Sequence, residues 1–135
     1  MANRYRSPFK WRKFPVSQGY GFNKPRNRWH YAVDIAAREG TVIWASASGV
    51  VLDKGYNPDD ETGLGHWIVI KHSDGVTTLY AHMKYASKLR IGQKVRWWQA
   101  IGRVGQTGAA SGPHLHFRVE VAGQPVNPLT FIATH

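Results

Sequence analysis

The sequence predicts a single all-β domain built mainly from antiparallel strands. Three observations support this: short alternating apolar runs, glycine- and asparagine-rich turns between them, and the lack of any ten-residue segment with helical periodicity. The chain has 135 residues, enough for one sizeable core but too few for a second module of ordinary size. We therefore expect one domain with at most short helical turns.

The individual elements follow from the alternation of apolar and polar residues. Ser73-Asp74-Gly75 has the composition of a hairpin turn, and Gly112-Pro113 fits the start of a strand, where proline is tolerated. Short helical turns are predicted at residues 86–89 and 128–131. The predicted strands are residues 41–45, 49–54, 66–71, 76–82, 94–97, 100–104 and 114–121.

Two histidines stand at the head of the last predicted strand. Because side chains alternate faces along a strand, His114 and His116 point the same way, with Cα atoms about 6.5 Å apart. Both could bind one metal ion, or one could bind it while the other reaches a bound molecule. A pair of surface histidines on a basic protein gives the same short pattern.

An imidazole and a carboxylate occur together far upstream, at His30 and Asp34. With a further histidine they form a nitrogen and oxygen set suited to zinc. On a straight strand, positions i and i+4 lie about 13 Å apart, too far to share one ion. Because Tyr31, Val33 and Ile35 alternate, we expect a strand here, with His30 on a loop that folds back over its start. A capping aspartate and a solvated histidine are the alternative.

A third histidine, His82, lies in the alternating run of residues 77–83. A core or edge histidine with its hydrogen bonds satisfied would also fit that position. By contrast, we interpret His66 and His72 as surface residues at the two ends of one strand. The acidic loop of residues 57–63 lacks the calcium-loop pattern and is interpreted as a solvated loop or groove wall.

Taken together, these segments resemble the lysostaphin-type (LytM-like) zinc endopeptidases, which cut peptide bonds in bacterial peptidoglycan. Residues 30–34 match the family's H-x-G-x-D, residues 79–83 match L-Y-x-H-[LM], and residues 111–117 match S-x-P-H-[LV]-H-F. Segments between them, such as residues 102–108, match as well. The resemblance runs from about Val16 to Phe131, and the order and spacing of its motifs are more specific than any single motif.

The resemblance implies that His30, Asp34 and His116 bind one Zn²⁺ per chain and that His82 and His114 form an unligated catalytic pair. Three protein ligands leave a fourth position for water, as in catalytic zinc sites. The implied reaction is metal-assisted hydrolysis of an amide, in which the two histidines move protons and stabilise the oxyanion. Their division of roles stays open, as does a base role for Glu120. The resemblance also implies an open groove with the zinc on its floor.

Two positions depart from the family pattern. The glycine of H-x-G-x-D is Ala32, and a glycine expected in a later turn falls at about Trp98. If either glycine serves a positive φ, the replacement is strained, whereas one used for close packing can be replaced with a small shift. Trp97 and Trp98 either form a stacking surface for substrate or cover the core.

Charge bears on the expected partners. Eighteen Lys and Arg against eight Asp and Glu give a net charge of +10, which favours an anionic polymer. Residues 1–15 are a predicted basic N-terminal arm, either solvated or docked on anionic envelope polymers, and residues 16–135 are the predicted catalytic domain. We expect peptidoglycan as the partner and a monomer. A nucleic-acid-binding barrel would leave the His/Asp set unexplained, so nucleic acid is not expected.

Cysteine is absent, which excludes a disulfide framework and a thiol nucleophile. The N-terminus lacks the apolar stretch of a signal peptide, and no run is long enough to cross a membrane. We expect a phage or prophage lysin or a virion-associated enzyme that acts on the wall after release, or else a chain trimmed from a secreted precursor. The alternative is an inactive family member that binds peptidoglycan or activates another hydrolase. Such members typically lose metal ligands, whereas all five positions are filled here.

Overall fold

An eight-stranded antiparallel sheet dominates the structure, a computed structural model that describes residues 4–9 and 13–134. Within these residues the strands are β1 (Val16–Gln18), β2 (Gly21–Asn23), β3 (Arg28–His30), β4 (Val33–Ala36), β5 (Val42–Trp44), β6 (Gly49–Asn57), β7 (Gly65–Lys71), β8 (Val76–Met83), β9 (Lys94–Val95), β10 (Ala100–Arg103), β11 (His114–Val121) and β12 (Gln124–Val126), and the helix is α1 (Pro128–Thr134). The sheet has the order β1-β4-β11-β8-β7-β6-β9, with β12 paired to β11. The all-β prediction is therefore confirmed.

The predicted strands are all present, with small changes at their ends. Four short strands, β1, β2, β3 and β12, were not predicted. His30 was expected on a loop, but it ends β3, which pairs with β2 in a separate two-stranded sheet. The helical turn predicted at residues 86–89 is wrong, because the segment is irregular and Ser87 Oγ donates to the carbonyl of Ile101 at 2.6 Å. No helix in the described ranges has the length and apolar character needed to span a bilayer.

The central strand β11 shows how burial sets the sheet's orientation. Leu115, Phe117 and Val119 are all fully buried, whereas the alternate positions His114 and His116 are only partly buried. The core combines this apolar face with the β5–β10 ribbon, Phe131 of α1 and buried residues of β6, β7 and β8. Burial of such side chains is the main stabilising contribution to a domain of this size. The opposite face of β11 is left for polar chemistry.

Part of the predicted N-terminal arm packs on the domain. Tyr5 and Phe9 are buried members of the core, and Trp44 N–H donates to the carbonyl of Pro8 at 2.8 Å. The predicted boundary at residue 15 therefore does not coincide with a break in packing. Six of the arm's residues, 1–3 and 10–12, lie outside the described residues.

His72 was interpreted as a surface residue, and this is wrong because only 2% of it is exposed. Its Nδ1–H donates to the Ser48 carbonyl at 2.7 Å, and its Nε2 accepts from Thr78 Oγ1 at 2.9 Å. Thr78 Oγ1 lies 2.8 Å from the Tyr80 hydroxyl, which accepts from Ser46 N–H at 3.0 Å. In this series of hydrogen bonds, every donor has an acceptor only if His72 is neutral. Burial lowers the pKa of His72 and raises that of Tyr80 to about 12.

Acid should destabilise the fold through His72. Because its folded-state pKa lies below 6.5, the unfolded chain takes up a proton first as the pH falls. Stability is therefore full above about pH 6.5 and falls below it, by at most about 1.4 kcal/mol per pH unit from this group. Urea unfolding between pH 7.5 and 5 should show a shallower pH slope for His72→Gln than for the wild type. Equal slopes would contradict the buried neutral histidine.

A hairpin turn offers a separate test of backbone strain. Ala122 and Gly123 join β11 to β12 with φ values of 50° and 81°, as in a two-residue type I′ turn. Alanine at positive φ is unfavourable, whereas asparagine tolerates it. Ala122→Asn should raise the free energy of unfolding by about 0.5–1 kcal/mol, measured by urea unfolding. Ala86→Asn, at an exposed alanine without positive φ, is the matched control and should bring no gain.

Candidate active-site groove

The pairing of three strands assembles the candidate site. In the register of β11, His116 lies opposite Asp34 of β4 on one side and Ala81 of β8 on the other. His82 follows Ala81, and His114 shares the face of His116 because the two positions differ by two residues. With His30 at the end of β3, the structure brings all five predicted site residues to the floor of one groove of about 780 Å³.

Three of these side chains have ligand atoms close enough to share a metal ion. His116 Nδ1 lies 3.0 Å and His30 Nε2 lies 3.6 Å from Asp34 Oδ1, and all three ligand atoms lie within 4.8 Å of one another. Ligands of a tetrahedral zinc with bonds of about 2.0–2.1 Å stand about 3.3 Å apart. The donor set and its spacing therefore fit zinc, provided that the imidazole nitrogens that bind it are deprotonated.

Backbone carbonyls orient three of the four imidazoles. The Nδ1–H groups of His30, His82 and His114 donate to the carbonyls of Gly19 at 3.1 Å, Thr107 at 2.7 Å and Gly112 at 2.9 Å, respectively. Since a carbonyl can only accept, each of these rings carries its proton on Nδ1 when it is neutral. Nε2 is then left as the nitrogen with a free lone pair, which is the usual arrangement around metal-ligating histidine.

The electrostatics of the site centre on Asp34, whose side chain is 14% exposed. Burial acts to raise its pKa, but hydrogen bonds from His116 and His30 and the nearby imidazoles outweigh burial and hold the pKa well below its usual range. In turn, the hydrogen bond to Asp34 raises the pKa of His30. Burial lowers the pKa of His82 to about 4. Asp34 is thus a carboxylate and His82 a neutral imidazole near neutral pH.

His82 has an unusual backbone conformation, with φ at 60°. A non-glycine residue in this left-handed region stores about 1–3 kcal/mol of strain, which neighbouring contacts must offset. His82 N–H donates to the Leu64 carbonyl at 2.8 Å, and Gly105 N–H donates to the His82 carbonyl at 3.1 Å. These bonds hold the backbone so that the imidazole reaches both Thr107 and the groove.

Thr107 anchors the loop that holds His82, and we had not singled it out from the sequence. Its hydroxyl donates to the Met83 carbonyl at 2.6 Å and accepts from His66 N–H at 3.1 Å, while its own carbonyl accepts from His82. The only available signal was its place in residues 102–108, a segment that matched the family between the histidine motifs.

The remaining predictions around the site have mixed outcomes. The acidic loop does line the groove, through residues 60–63. Trp97 and Trp98 are not among the lining residues, and the Arg6 guanidinium lies 3.9 Å from the Trp97 ring. Trp98 takes a positive φ of 62°, whereas Ala32 is fully buried and does not. At position 32 the family's glycine therefore serves close packing. At position 98 it serves a backbone conformation with positive φ.

Glu120 is engaged elsewhere. It lies on β11 at an even offset from His116, but its carboxylate pairs with Arg118 Nε at 2.8 Å, and it does not line the groove. Within the described residues, His82 and His114 are the imidazoles of the groove that lie outside the cluster of three donor atoms. Their ring centroids lie 4.8 Å apart.

Comparison with known proteins places the chain in a family. Residues 28–128 match the sequence model of peptidase family M23. The DD-carboxypeptidase/endopeptidase Mpg of Neisseria meningitidis is 40% identical over 127 residues, which are 94% of this chain and 26% of that protein. The chain thus spans about a quarter of that relative's length.

Two solved structures share the fold. A zinc-containing peptidase from Vibrio cholerae is 27% identical with a TM-score of 0.81, covering 93% of this chain and 39% of that one. The catalytic domain of the antimicrobial peptidase lysostaphin from Staphylococcus simulans is 28% identical with a TM-score of 0.77, covering 89% and 92%. Because the family model matches residues 28–128, about three quarters of its length, the chain belongs to peptidase family M23.

Proposed function

We propose that this M23 domain is a zinc-dependent endopeptidase that hydrolyses peptide bonds in bacterial peptidoglycan. The observation that carries the proposal is the convergence of one carboxylate and four imidazoles on the floor of one open groove. The family and the names of its relatives, one a DD-carboxypeptidase/endopeptidase and one a zinc-containing peptidase, support it.

In this proposal His30, Asp34 and His116 hold the zinc ion. Zinc bound there would act as a Lewis acid on the scissile carbonyl and lower the pKa of water at the site. Asp34 supplies the negative charge that favours a cation, and its side chain is largely shielded from solvent. The hydrogen bond from His30 Nδ1–H to Gly19 keeps His30 Nε2 directed at the same point.

His82 and His114 are the proposed proton carriers. Each has Nδ1–H committed to a backbone carbonyl, so each can accept a proton on Nε2 and then donate it. His114 Nε2 lies 3.8 Å from Asp34 Oδ1, which places it beside the proposed metal. Protonated Nε2 of either ring can also donate to the developing oxyanion.

Finer parts of the function stay predictions. They include release of the protein as a phage or prophage lysin, contact of residues 1–15 with anionic envelope polymers, and a monomeric state. Two relatives from Vibrio cholerae named peptidoglycan DD-endopeptidases support the wall as the place of action but do not address these points.

Two histidine variants separate metal binding from proton transfer. The wild type should carry about one zinc per chain and release new amino termini from purified sacculi. His116→Ala should lose both zinc and cleavage. His114→Ala should keep zinc and lose about 10²- to 10⁴-fold in rate, the usual contribution of a general acid or base. Zinc content by elemental analysis and amino-terminal release from sacculi provide the readouts.

The outcomes distinguish the competing assignments. Zinc loss in His114→Ala would move that residue into the ligand set. Zinc without cleavage of any wall type by the wild type would favour the binding or activator alternative. No zinc in the wild type would contradict the proposed site.

A third variant tests how His82 is positioned. Thr107→Val preserves shape but removes the hydroxyl, leaving the Met83 carbonyl and His66 N–H without their partner. We expect stability to fall by about 1–2 kcal/mol and the rate to fall by about 10- to 100-fold because the imidazole is misplaced, with zinc content unchanged. Thr107→Ser keeps the hydroxyl and should behave nearly as the wild type. An unchanged rate in Thr107→Val would show that the hydroxyl does not position His82.

A further inference from the structure

The two long walls of the groove differ in charge. The floor strands run β4, β11, β8, so His30 and Asp34 lie on one side and His82 on the other. On the His30 side, the β2–β3 hairpin contributes Arg26 and Arg28 to the lining. Beside His82, whose N–H donates to Leu64, the loop between β6 and β7 contributes Asp60 and Glu61. One wall is therefore basic and the other acidic.

The position of Arg28 ties the basic wall to the chemistry. Arg28 and His30 are two residues apart on β3, so their side chains leave the same face of the strand with Cα atoms about 6.6 Å apart. Arg26 lies in the adjoining turn, where its N–H donates to Asn23 Oδ1 at 3.3 Å. An arginine side chain on this wall can thus reach a group bound beside the proposed metal ligands.

The charged side chains of both walls are accessible to a ligand. Both arginines are exposed, as are Asp60 and Glu61, and none of the four forms an ion pair with another described residue. Asp59, in contrast, accepts the N–H groups of Glu61 and Thr62 at 2.8 and 3.0 Å, which holds the acidic loop in shape. Arg118, the other arginine of the lining, is neutralised by Glu120.

A groove with one basic and one acidic wall favours a ligand that has a carboxylate on the side of the basic wall only. Guanidinium groups bind carboxylates through paired charge-assisted hydrogen bonds, while Asp60 and Glu61 repel a carboxylate from the opposite wall. Peptidoglycan cross-links differ in this feature. A diamino acid such as meso-diaminopimelate can carry a carboxylate on the carbon that bears the cleaved amide nitrogen, whereas lysine and glycine cross-links have none there.

We propose that Arg26 and Arg28 form a carboxylate subsite that makes the protein selective for cross-links with a free carboxylate beside the scissile amide. The inference rests on the proposed endopeptidase function and adds its substrate preference. Arg28, on the strand that carries His30, makes the main contact, and Arg26 adds to it. The acidic wall sets the direction in which the cross-linked peptide enters.

The test uses two cross-linked muropeptide dimers joined through D-alanine and meso-diaminopimelate. They differ only in whether the carboxylate beside the amide is free or converted to a carboxamide. The wild type should cleave the free acid with a kcat/KM about 10- to 100-fold higher, the range of a hydrogen bond to a charged group. Arg28→Gln should remove most of that preference by slowing only the free acid, and the double variant with Arg26→Gln should remove it entirely.

Controls separate this inference from the proposed function. Arg90→Gln, an exposed arginine that does not line the groove, should keep the preference. Calorimetric binding of both dimers to His114→Ala measures selectivity without turnover, and it should favour the free acid as in the wild type. If neither dimer is cleaved, the endopeptidase function fails while binding still reports on the subsite. Equal affinity and equal rates for the two dimers, or an equal loss on both in Arg28→Gln, would overturn the carboxylate subsite.

Discussion

The register of β11 is the constraint on which the rest of the site depends. Its apolar residues Leu115, Phe117 and Val119 are fully buried, and a slip by one residue would expose all three while burying the histidines between them. The cost of that exchange, several buried side chains at about 1.5–3 kcal/mol each, pins the strand. The same register sets His116 opposite Asp34 on β4 and next to the strand that carries His82. Hydrophobic burial on one face thereby determines the distances between polar groups on the other.

The strands place the side chains of the site, whereas loops orient them. His30 donates Nδ1–H to the Gly19 carbonyl in the β1–β2 loop, while His82 and His114 donate theirs to Thr107 and Gly112, both in the β10–β11 loop. Each bond determines both the ring plane and the position of the proton. Asp34 interacts electrostatically with most of these rings, because its carboxylate lies within 4 Å of a nitrogen on three of the four imidazoles. A rigid sheet and three loop carbonyls thus preorganise the groups before any substrate arrives.

The longer strands could be predicted because alternation is a local property of the chain. The five candidate site residues were chosen by motif spacing, and the fold brings them to one groove. Strands β1, β2 and β3 escaped prediction because each has three residues and none of them is fully buried, so burial leaves little pattern. His72 was misplaced because Ser48, whose carbonyl accepts a hydrogen bond from its ring, is 24 residues distant in sequence. The loop carbonyls that orient the histidines have no sequence signature, since every residue has a carbonyl. Thr107 was missed for a related reason: its role depends on Met83 and His66, which only the fold brings near.

Strain at His82 shows why the segments between the histidine motifs matter. Its positive φ is sustained by the Leu64 carbonyl and by the loop of Thr107, and these two segments interlock. Gly65 and Gly108 both have positive φ, and a Cβ on either would collide with the facing segment. Ala109 N–H then donates to the Gly63 carbonyl at 2.8 Å, closing the contact. Because this close approach holds the imidazole in its strained position, the glycines support the candidate site without contributing a side chain to it.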